Sequence, residues 1–373
     1  MPPIPASEQL RVALDRLLDG LPPRRAASAV ERLMAGYRGR TPAGAPVLRD
    51  RADAVAYAAY RMPATFGAVS AALRELAGRL PGWEPGGHLD VGGGTGAAIW
   101  AAAGVWPAAD RETVVLDRAG PALDLGRELA GLAADGPLRT AEWRLESIGA
   151  TPPAIPALPL TDLVTVSYVL GELPEAVRDA VVDAVARAGA AVVLVEPGTP
   201  DGYLRIRAAR DRLIAAGLRV LAPCPHDGEC PITVGSDWCH FAARVSRSAL
   251  HRRVKGGVLP YEDEKFSYVA AVRPGAEAAP EPAAARIVRR PLLRKGQVLL
   301  ELCARDDGLR RATVSKRQGP GYRAARDAGW GEPWPPQDSP PSPAAPVSPV
   351  SPDYPSEPVT GQDVRHTRGR TVE

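Results

Sequence analysis

From Gly86 to about residue 200, short apolar runs alternate with segments in which apolar residues recur at helical spacing. The strand-like runs are His88–Val91, Thr113–Leu116, Glu142–Leu145, Leu163–Tyr168 and Ala191–Glu196. The helical segments between them are Ala97–Ala103, Ala119–Ala134 and Glu175–Ala188. Strands that alternate with helices at this rhythm pair in parallel through right-handed crossovers. The pattern therefore predicts a doubly wound α/β domain over residues 81–220.

A glycine-rich turn, "HLDVGGGTGAAIW", joins the first of these strands to the first helix. Asp90 stands two residues before the series Gly92, Gly94 and Gly96, which suits S-adenosylmethionine, because its cationic groups favour a nearby carboxylate. The stretch also satisfies the dinucleotide fingerprint G-x-G-x-x-G/A, which leaves a dinucleotide as an alternative. Asp117, 21 residues after Gly96, can accept hydrogen bonds from ribose hydroxyls. We predict a class I, Rossmann-like methyltransferase domain that binds S-adenosylmethionine.

The end of the fourth predicted strand, "TDLVTVSYVLGELP", is where methyltransferases carry residues that select the substrate. It has no Asn-Pro-Pro-Tyr element for a base amine, and no cysteine precedes residue 224 to attack a pyrimidine ring. Ser167 is a predicted cofactor contact, and Tyr168, Glu172 and Glu196 are candidate catalytic residues. The sequence favours a methyltransferase but supports cofactor binding more strongly than any particular chemical step.

The two ends of the chain differ from this domain. Residues 1–80 are predicted to form a helical extension, because apolar residues such as Leu10 and Leu14 recur at helical spacing. Residues 336–373 are Pro/Ser-rich and predicted to be disordered, with eleven prolines over Pro333–Pro358. No signal-peptide pattern or apolar run of roughly 18 residues is present. We expect a cytoplasmic protein with no membrane partner, in a reducing compartment where disulfides are rare.

Three of the four cysteines lie in the segment "CPHDGECPITVGSDWCHF". Their spacing is Cys224-x5-Cys230-x8-Cys239, and Cys303 follows much later in a predicted strand. A zinc ribbon needs two close Cys-x2-4-Cys pairs, and this segment has none. A clustering this tight also argues against unrelated buried thiols, so we expect a metal centre.

Two kinds of metal centre fit the irregular spacing. One is an iron–sulfur cluster with four Cys ligands, and the other is a Cys3His zinc site that uses His226 or His240. Spacing alone does not separate them. In either case the metal would staple a small β-containing module over residues 221–335, and metal binding would be part of its folding.

The charge of the chain is unevenly distributed. The segment from Phe241 to Trp330 carries 19 Lys/Arg and nine Asp/Glu, a balance of +10, within a chain of net charge +3. The rest of the chain is therefore acidic, with a balance of −7. A basic module on an acidic body indicates a polyanionic partner.

Taken together, several segments resemble one family, the small-ribosomal-subunit methyltransferase-like proteins of bacteria and mitochondria, which are regarded as assembly factors. The segments are "YRMPATFGAV", "LDVGGGTGAA", "SYVLGEL", "VEPGTPDGY", "CPHDGECP", "WCHF", "LPYEDEKFSYVA" and "TVSKRQGPGYRAARDAGWGEPW". The match covers most of residues 50–335. Its specific part is the cysteine segments, because the glycine turn is common to many methyltransferases.

The resemblance implies a [4Fe–4S] cluster held by the four cysteines Cys224, Cys230, Cys239 and Cys303, in preference to zinc. It also implies S-adenosylmethionine at the glycine turn and association with the small ribosomal subunit or its rRNA. Together with the basic charge balance, it predicts phosphate contacts from a set of basic side chains. These are Arg252, Arg253, Lys255, Lys316, Arg317 and Arg323.

We therefore expect a factor for small-subunit biogenesis or translation. It would either methylate rRNA or a ribosomal protein, or act as a non-catalytic rRNA-binding assembly factor with S-adenosylmethionine as a structural ligand. A more distant alternative is a small-molecule methyltransferase with a zinc-stapled lid.

Overall fold

The computed structural model of the chain describes residues 4–18, 28–32, 48, 50–107, 110–134, 136–147, 157–247, 259–275, 281–336 and 348–349. Three predicted RNA contacts, Arg252, Arg253 and Lys255, lie outside these residues. The predicted Pro/Ser-rich tail also lies outside them, apart from residues 336 and 348–349. No helix in the described part of the chain is long and apolar enough to cross a membrane.

The main sheet has eight strands within the described residues, in the order β3-β2-β1-β4-β5-β8-β6, with β7 paired to β8. Its strands are β1 (Gly87–Val91), β2 (Glu112–Asp117), β3 (Glu142–Leu145), β4 (Thr161–Ser167), β5 (Gly189–Pro197), β6 (Arg219–Ala222), β7 (Phe241–Ser246) and β8 (Tyr261–Val272). Strands β1 to β5 are parallel, whereas β8 is antiparallel to β5, β6 and β7. The predicted Rossmann-like α/β fold is confirmed.

Helices cover both faces of this sheet. They are α1 (Ala6–Leu18), α2 (Arg51–Ala77), α3 (Ala97–Val105), α4 (Gly120–Gly131), α5 (Gly136–Arg139), α6 (Glu175–Ala188) and α7 (Pro200–Ala215). Helices α6 and α7 pack with Val164 and Val192, while α2 and α3 pack with Leu163 and Val193 on the opposite face. Successive side chains of a strand point to opposite faces. Strands covered on both faces are therefore continuously apolar, as the sequence shows.

Helix α2 is one continuous helix of 27 residues, with Pro63 in its interior. Asp50 caps its start by accepting the N–H of Asp53 at 2.8 Å. Pro63 cannot donate the usual backbone hydrogen bond. Burial of one face, including Ala64 and Leu73, outweighs this local cost. The packing also makes α2 part of the α/β core.

A second sheet follows in the chain, in the order β13-β9-β11-β12-β14, with β10 paired to β11. Its elements are β9 (Ala285–Ile287), β10 (Leu292–Arg294), β11 (Gln297–Ala304), β12 (Gly308–Ser315), helix α8 (Pro320–Asp327), β13 (Pro333–Trp334) and β14 (Ser348–Pro349). Strands β11 and β12 form a hairpin around Asp306–Gly308. Alternate residues of β11, among them Leu300 and Leu302, are buried with α8 in a separate small core.

The main sheet continues across residue 220, where the sequence predicts a domain boundary. Strand β8 inserts between β5 and β6, so residues up to Val272 belong to the main sheet. The segment predicted as one C-terminal module therefore supplies strands to both sheets. The domain boundaries themselves stay a prediction.

Candidate cofactor pocket and cysteine cavity

A cavity of about 490 Å³ lies at the carboxyl ends of β1 and β4. These strands are neighbours in the sheet, and the strand order reverses direction between them. Ligands of open α/β sheets bind in the crevice at such a point. Five of the six predicted cofactor residues line the cavity, namely Asp90, Gly92, Gly94, Asp117 and Ser167.

The glycine turn presents its backbone to this cavity. Gly92 has a φ of 70°, in the left-handed region, and a Cβ there would overlap a side chain of the loop after β4. Gly93 occupies an unspecified position of the sequence pattern, yet a Cβ on it would overlap the Asp90 carboxylate. Gly96, the sixth predicted contact, lies outside the cavity lining at the start of α3. A Cβ there would meet the Trp143 ring at 2.7 Å.

Asp90 is a buried carboxylate beneath the turn. Its Oδ1 accepts a hydrogen bond from Thr165 Oγ1 at 2.7 Å, and its Oδ2 has no hydrogen-bond partner among the described residues. Thr165 Oγ1 also lies 2.8 Å from His88 Nε2. Because the threonine proton goes to Asp90, the histidine donates through its Nε2–H. Burial lowers the pKa of His88 to about 3, which keeps the ring neutral.

Burial, with a smaller effect of the neighbouring Asp117, raises the pKa of Asp90 to about 7, although the hydrogen bond from Thr165 lowers it. A buried carboxyl group with one free oxygen is poorly satisfied without a ligand. The cavity wall at Asp90 therefore favours a cationic group.

Asp117 ends β2 at the same edge of the sheet. Its Oδ2 accepts the N–H of Gly94 at 2.8 Å, and its Oδ1 accepts the N–H of Ala119 at 2.8 Å. Burial raises the pKa of Asp117. Each carboxylate oxygen keeps a further lone pair, so the side chain is held in place and can still accept hydrogen bonds from a ligand.

Two of the three candidate catalytic residues line the cavity, Tyr168 and Glu172. The Tyr168 hydroxyl donates to Glu264 Oε1 at 3.0 Å, and Arg61 pairs with the same carboxylate at 3.1 Å. Tyr168 also has a φ of 61°, a constrained conformation for a residue with a side chain. Partial desolvation in the cavity wall, with Asp117 nearby, raises the pKa of Glu172 to about 7, although its side chain is 41% exposed and Arg118 lies 4.0 Å away. Glu172 can therefore exchange a proton near neutral pH.

The third candidate, Glu196, lies behind the loop that follows β4 and outside the cavity lining. Its buried carboxylate pairs with Arg205 at 2.6 Å and accepts the backbone N–H of Leu170 at 3.0 Å. These contacts hold the loop that carries Tyr168 and Glu172. The geometry suits a positioning role for Glu196 rather than contact with a ligand.

Helix α2 contributes a part of the wall that the sequence did not indicate. Its residues Tyr57, Met62 and Thr65 line the cavity. Helical spacing predicts that these residues lie on a helix, but it does not specify which distant element the helix contacts.

The four cysteines line a second cavity. Cys224, Cys230 and Cys239 lie between β6 and β7, whereas Cys303 lies on β11 in the second sheet. All four are free thiols. The fold therefore brings together the distant cysteine and the clustered three, as the sequence predicts for a common site.

The thiols share a buried environment. Burial, together with the nearby Cys224 and Cys230, raises the pKa of Cys303 to about 12 against the lowering effect of Arg210 and Arg286. Cys303 Sγ lies 3.9 Å from His226 Nε2, and Cys230 Sγ lies 3.4 Å from the Tyr203 hydroxyl. Across the described residues, no group of three or more His, Cys, Asp or Glu side chains is arranged to hold a metal ion. Four thiols thus line the cavity without a preformed coordination sphere.

The two histidines considered as zinc ligands have different surroundings. His226 lines the cysteine cavity. His240 stacks on Trp238 with ring centroids 5.1 Å apart, and it meets Trp330 edge-on at 5.0 Å. Of the two, His226 is the one placed to act with the cysteines.

Three predicted RNA contacts lie at one end of the second sheet. Lys316 and Arg317 form a short 3-10 helix after β12, and Arg323 lies on α8. The Lys316 N–H donates to a carbonyl of the β10–β11 turn at 3.0 Å, which brings Arg294 and Lys295 to the same end. None of these five forms an ion pair with another described residue. The sequence did not single out Arg294 and Lys295, because their proximity depends on strand pairing.

The profile of the family "Mitochondrial small ribosomal subunit Rsm22" matches residues 51–335. The human "Ribosome assembly protein METTL17, mitochondrial" is 31% identical over 291 residues, which is 74% of this chain and 61% of that protein. The "Rsm22-cox11 tandem protein 2, mitochondrial" of Schizosaccharomyces pombe is 28% identical over 190 residues, 39% of this chain and 25% of that protein. The chain thus spans less than two thirds of the length of either relative.

Among solved structures, human N-acetylserotonin methyltransferase in complex with SAM is 12% identical, with a TM-score of 0.38, over 67% of this chain and 66% of that chain. Strand order and pairing, rather than this similarity, establish the fold. The family match extends over the glycine turn and all four cysteines. This chain therefore belongs to the mitochondrial small ribosomal subunit Rsm22 family.

Proposed function

We propose that this protein is an assembly factor of the small ribosomal subunit whose methyltransferase-like domain binds S-adenosylmethionine. The observation that carries the proposal is that one family match spans both the pocket with the buried Asp90 and the cavity with four thiols. The names of the relatives support the ribosomal partner. Because the chain covers only part of those relatives, its partners and any activity belong to this proposal. The cytoplasmic location stays a prediction.

S-adenosylmethionine, when bound, would supply a methyl group carried on a sulfonium. The free Oδ2 of Asp90 would accept a hydrogen bond from its ammonium group, and Asp117 would accept hydrogen bonds from its ribose hydroxyls. The side-chain hydroxyl of Ser167 is buried and has no hydrogen-bond partner among the described residues, so it is also available to the ligand. The missing side chains of the glycine turn would allow close approach of the ligand to the backbone.

We propose methyl transfer to rRNA or a ribosomal protein as the activity. Glu172 is the candidate proton acceptor, because its partly exposed carboxylate lines the pocket and its pKa is raised toward 7. The Tyr168 hydroxyl is already donated to Glu264. That engagement favours a second candidate function, in which S-adenosylmethionine is a structural ligand of a non-catalytic factor.

Methylation mapping separates the two candidates. Asp90→Asn and Gly94→Ala should weaken cofactor binding, and Gly131→Ala is the matched control, since a Cβ there meets nothing within 4 Å. If the protein is an enzyme, cells with the first two variants lose a methyl mark on rRNA or a ribosomal protein, and control cells keep it. Unchanged marks together with weakened cofactor binding would reject the enzyme and retain the structural ligand.

We also propose that the four cysteines Cys224, Cys230, Cys239 and Cys303 hold a [4Fe–4S] cluster, with zinc as the alternative. The support is the donor set, because four free thiols converge on one cavity. His226 is the nitrogen donor at hand for a Cys3His zinc site. Iron, sulfide and zinc counts on anaerobically purified protein, with a visible spectrum, decide between the metals.

The ligand role of Cys303 has its own test. Cys303→Ser should reduce the iron and sulfide content and the visible absorption. Glu301 lies two residues before Cys303 on the same face of β11, so Glu301→Gln should leave the iron and sulfide content and the visible absorption unchanged. A cluster of wild-type spectrum and stoichiometry in Cys303→Ser would remove Cys303 from the ligand set, and colourless protein with zinc alone would select the alternative.

We propose that the basic end of the second sheet binds rRNA phosphates. The described contributors are Arg294, Lys295, Lys316, Arg317 and Arg323, and Arg252, Arg253 and Lys255 stay proposed contacts. Such binding releases counterions, so it should weaken steeply as salt rises. Co-sedimentation with purified small subunits at several salt concentrations tests this, and absent or salt-insensitive binding would contradict it.

A further inference from the structure

Two buried arginines line the same cavity as the four thiols. Arg286 on β9 is 1% exposed and Arg210 on α7 is 3% exposed. Burial of a guanidinium is costly unless its charge and its N–H groups are compensated. Two buried guanidinium groups in the wall of one small cavity are not explained by packing alone.

Arg286 is held in place from three directions. Its Nε donates to the Pro223 carbonyl at 3.0 Å, next to the first cysteine, and its Nη1 donates to the Gly331 carbonyl at 2.7 Å. The guanidinium also pairs with Glu75 on α2. Its Nη2 is buried and has no hydrogen-bond partner among the described residues. These three contacts fix the group and leave one donor unused.

Arg210 shapes the cysteine loop from the other side. Its Nη2 donates to the carbonyls of His226 and Gly228, at 2.8 and 2.6 Å, both between the first two cysteines. Its Nη1 pairs with Asp211, an exposed carboxylate, at 2.9 Å. Its Nε is buried and has no hydrogen-bond partner in the described part of the chain. Like Arg286, it lines the cavity and has a buried N–H donor that no described residue accepts.

We propose that Arg286 and Arg210 are positioning residues that compensate the negative charge of a thiolate-bound cluster in this cavity and raise its reduction potential. This inference rests on the proposed [4Fe–4S] cluster. Four thiolates outweigh the positive charge of the cluster core, so the loaded site is an anion. Net charge and hydrogen bonds near the sulfurs set the potential of such clusters. A cation beside the site stabilises the more negative, reduced state.

The contacts of Arg286 also predict an effect of opposite sign from its partner. Glu75 lies on α2 and is partly exposed, and it offsets part of the Arg286 charge. Glu75→Gln would leave the arginine less compensated, and the cluster would then be easier to reduce. A role of Arg286 as a mere brace between α2 and the cysteine loop predicts no such opposition of signs.

The experiment is a redox titration of the anaerobically purified full chain, followed by visible absorption, with iron and sulfide counted for every variant. Arg286→Met and Arg210→Met remove charge with little loss of bulk, and Arg286→Lys keeps the charge. Arg212→Met is the matched control, since Arg212 lies on α7 outside the cavity lining and pairs with Asp179 and Asp183.

We expect each Met variant to shift the one-electron reduction equilibrium at least tenfold toward the oxidised state, about 59 mV. Arg286→Lys should recover most of that shift, Glu75→Gln should shift it the other way, and Arg212→Met should match the wild type. Wild-type potentials in cluster-containing Met variants would overturn this inference and leave the cluster standing. If the Met variants do not fold, an unchanged potential in Glu75→Gln overturns it. Wild-type protein without iron and sulfide would overturn the cluster and the inference together.

Discussion

The affinity for S-adenosylmethionine should depend on pH through Asp90. Burial raises the pKa of this carboxyl group to about 7 in the protein without ligand, and a cationic ligand needs the ionised form. At pH 6 about one molecule in eleven would have Asp90 ionised, and at pH 8 about ten in eleven. The affinity should therefore fall about tenfold from pH 8 to pH 6, or about 1.4 kcal/mol.

The stability of the ligand-free protein should change with pH in the direction opposite to the ligand affinity. The folded pKa of Asp90 lies above its ordinary value of 3.8, so the folded protein holds this proton more tightly than the unfolded chain. The ligand-free protein should lose stability as the pH rises from about 4 to about 7. The stabilisation that the ligand adds should grow over the upper part of that range.

The assay is isothermal titration calorimetry at pH 6, 7 and 8 on the wild type, Asp90→Asn and Glu172→Gln. At pH 6, binding of the ligand to the wild type should release a proton, because Asp90 must ionise. Asp90→Asn should bind weakly at every pH, at or below the wild-type affinity at pH 6. Glu172→Gln is the control, because the pKa of Glu172 in the same cavity wall is also raised to about 7. Wild-type affinity that is flat from pH 6 to pH 8, or a slope that survives in Asp90→Asn, would refute the assignment.

Three further predictions concern the turn, the loop and the basic surface. Gly93→Ala should lower the free energy of unfolding by about 1–3 kcal/mol in denaturant titrations, because its Cβ would overlap a buried carboxylate. Gly131→Ala should be neutral or slightly stabilising, and equal effects of the two substitutions would contradict the packing described for Gly93. Tyr168→Phe should lower the free energy of unfolding by about 1–2 kcal/mol, because the hydrogen bond to Glu264 is lost. The cofactor affinity measured by calorimetry should not change, and a large loss of affinity would instead place the hydroxyl at the ligand. Arg317→Ala should weaken RNA binding and reduce the salt slope by about one; an unchanged slope would exclude a phosphate contact.

Local sequence patterns were sufficient to predict the main α/β fold and the glycine turn. The strand–helix rhythm after Gly86 depends only on neighbouring residues, and both faces of the parallel sheet are covered, so its strands are apolar throughout. The positions of Asp90 and Asp117 also follow locally, because both lie at the carboxyl end of a parallel strand. The cysteine spacing indicated a common site before any geometry was known.

Only the tertiary structure decided what depends on contacts between distant segments. Packing made α2 continuous through Pro63 and placed it on the pocket, and pairing of β8 carried the main sheet past residue 220. Packing placed Glu172 in the pocket wall and buried Glu196 behind the loop, where its carboxylate holds the loop in position. Both are acidic residues near strand ends, so the sequence alone does not distinguish their roles. The arginines at the cysteine cavity gave no sequence signal, because charge compensation depends on three-dimensional proximity and no spacing along the chain encodes it.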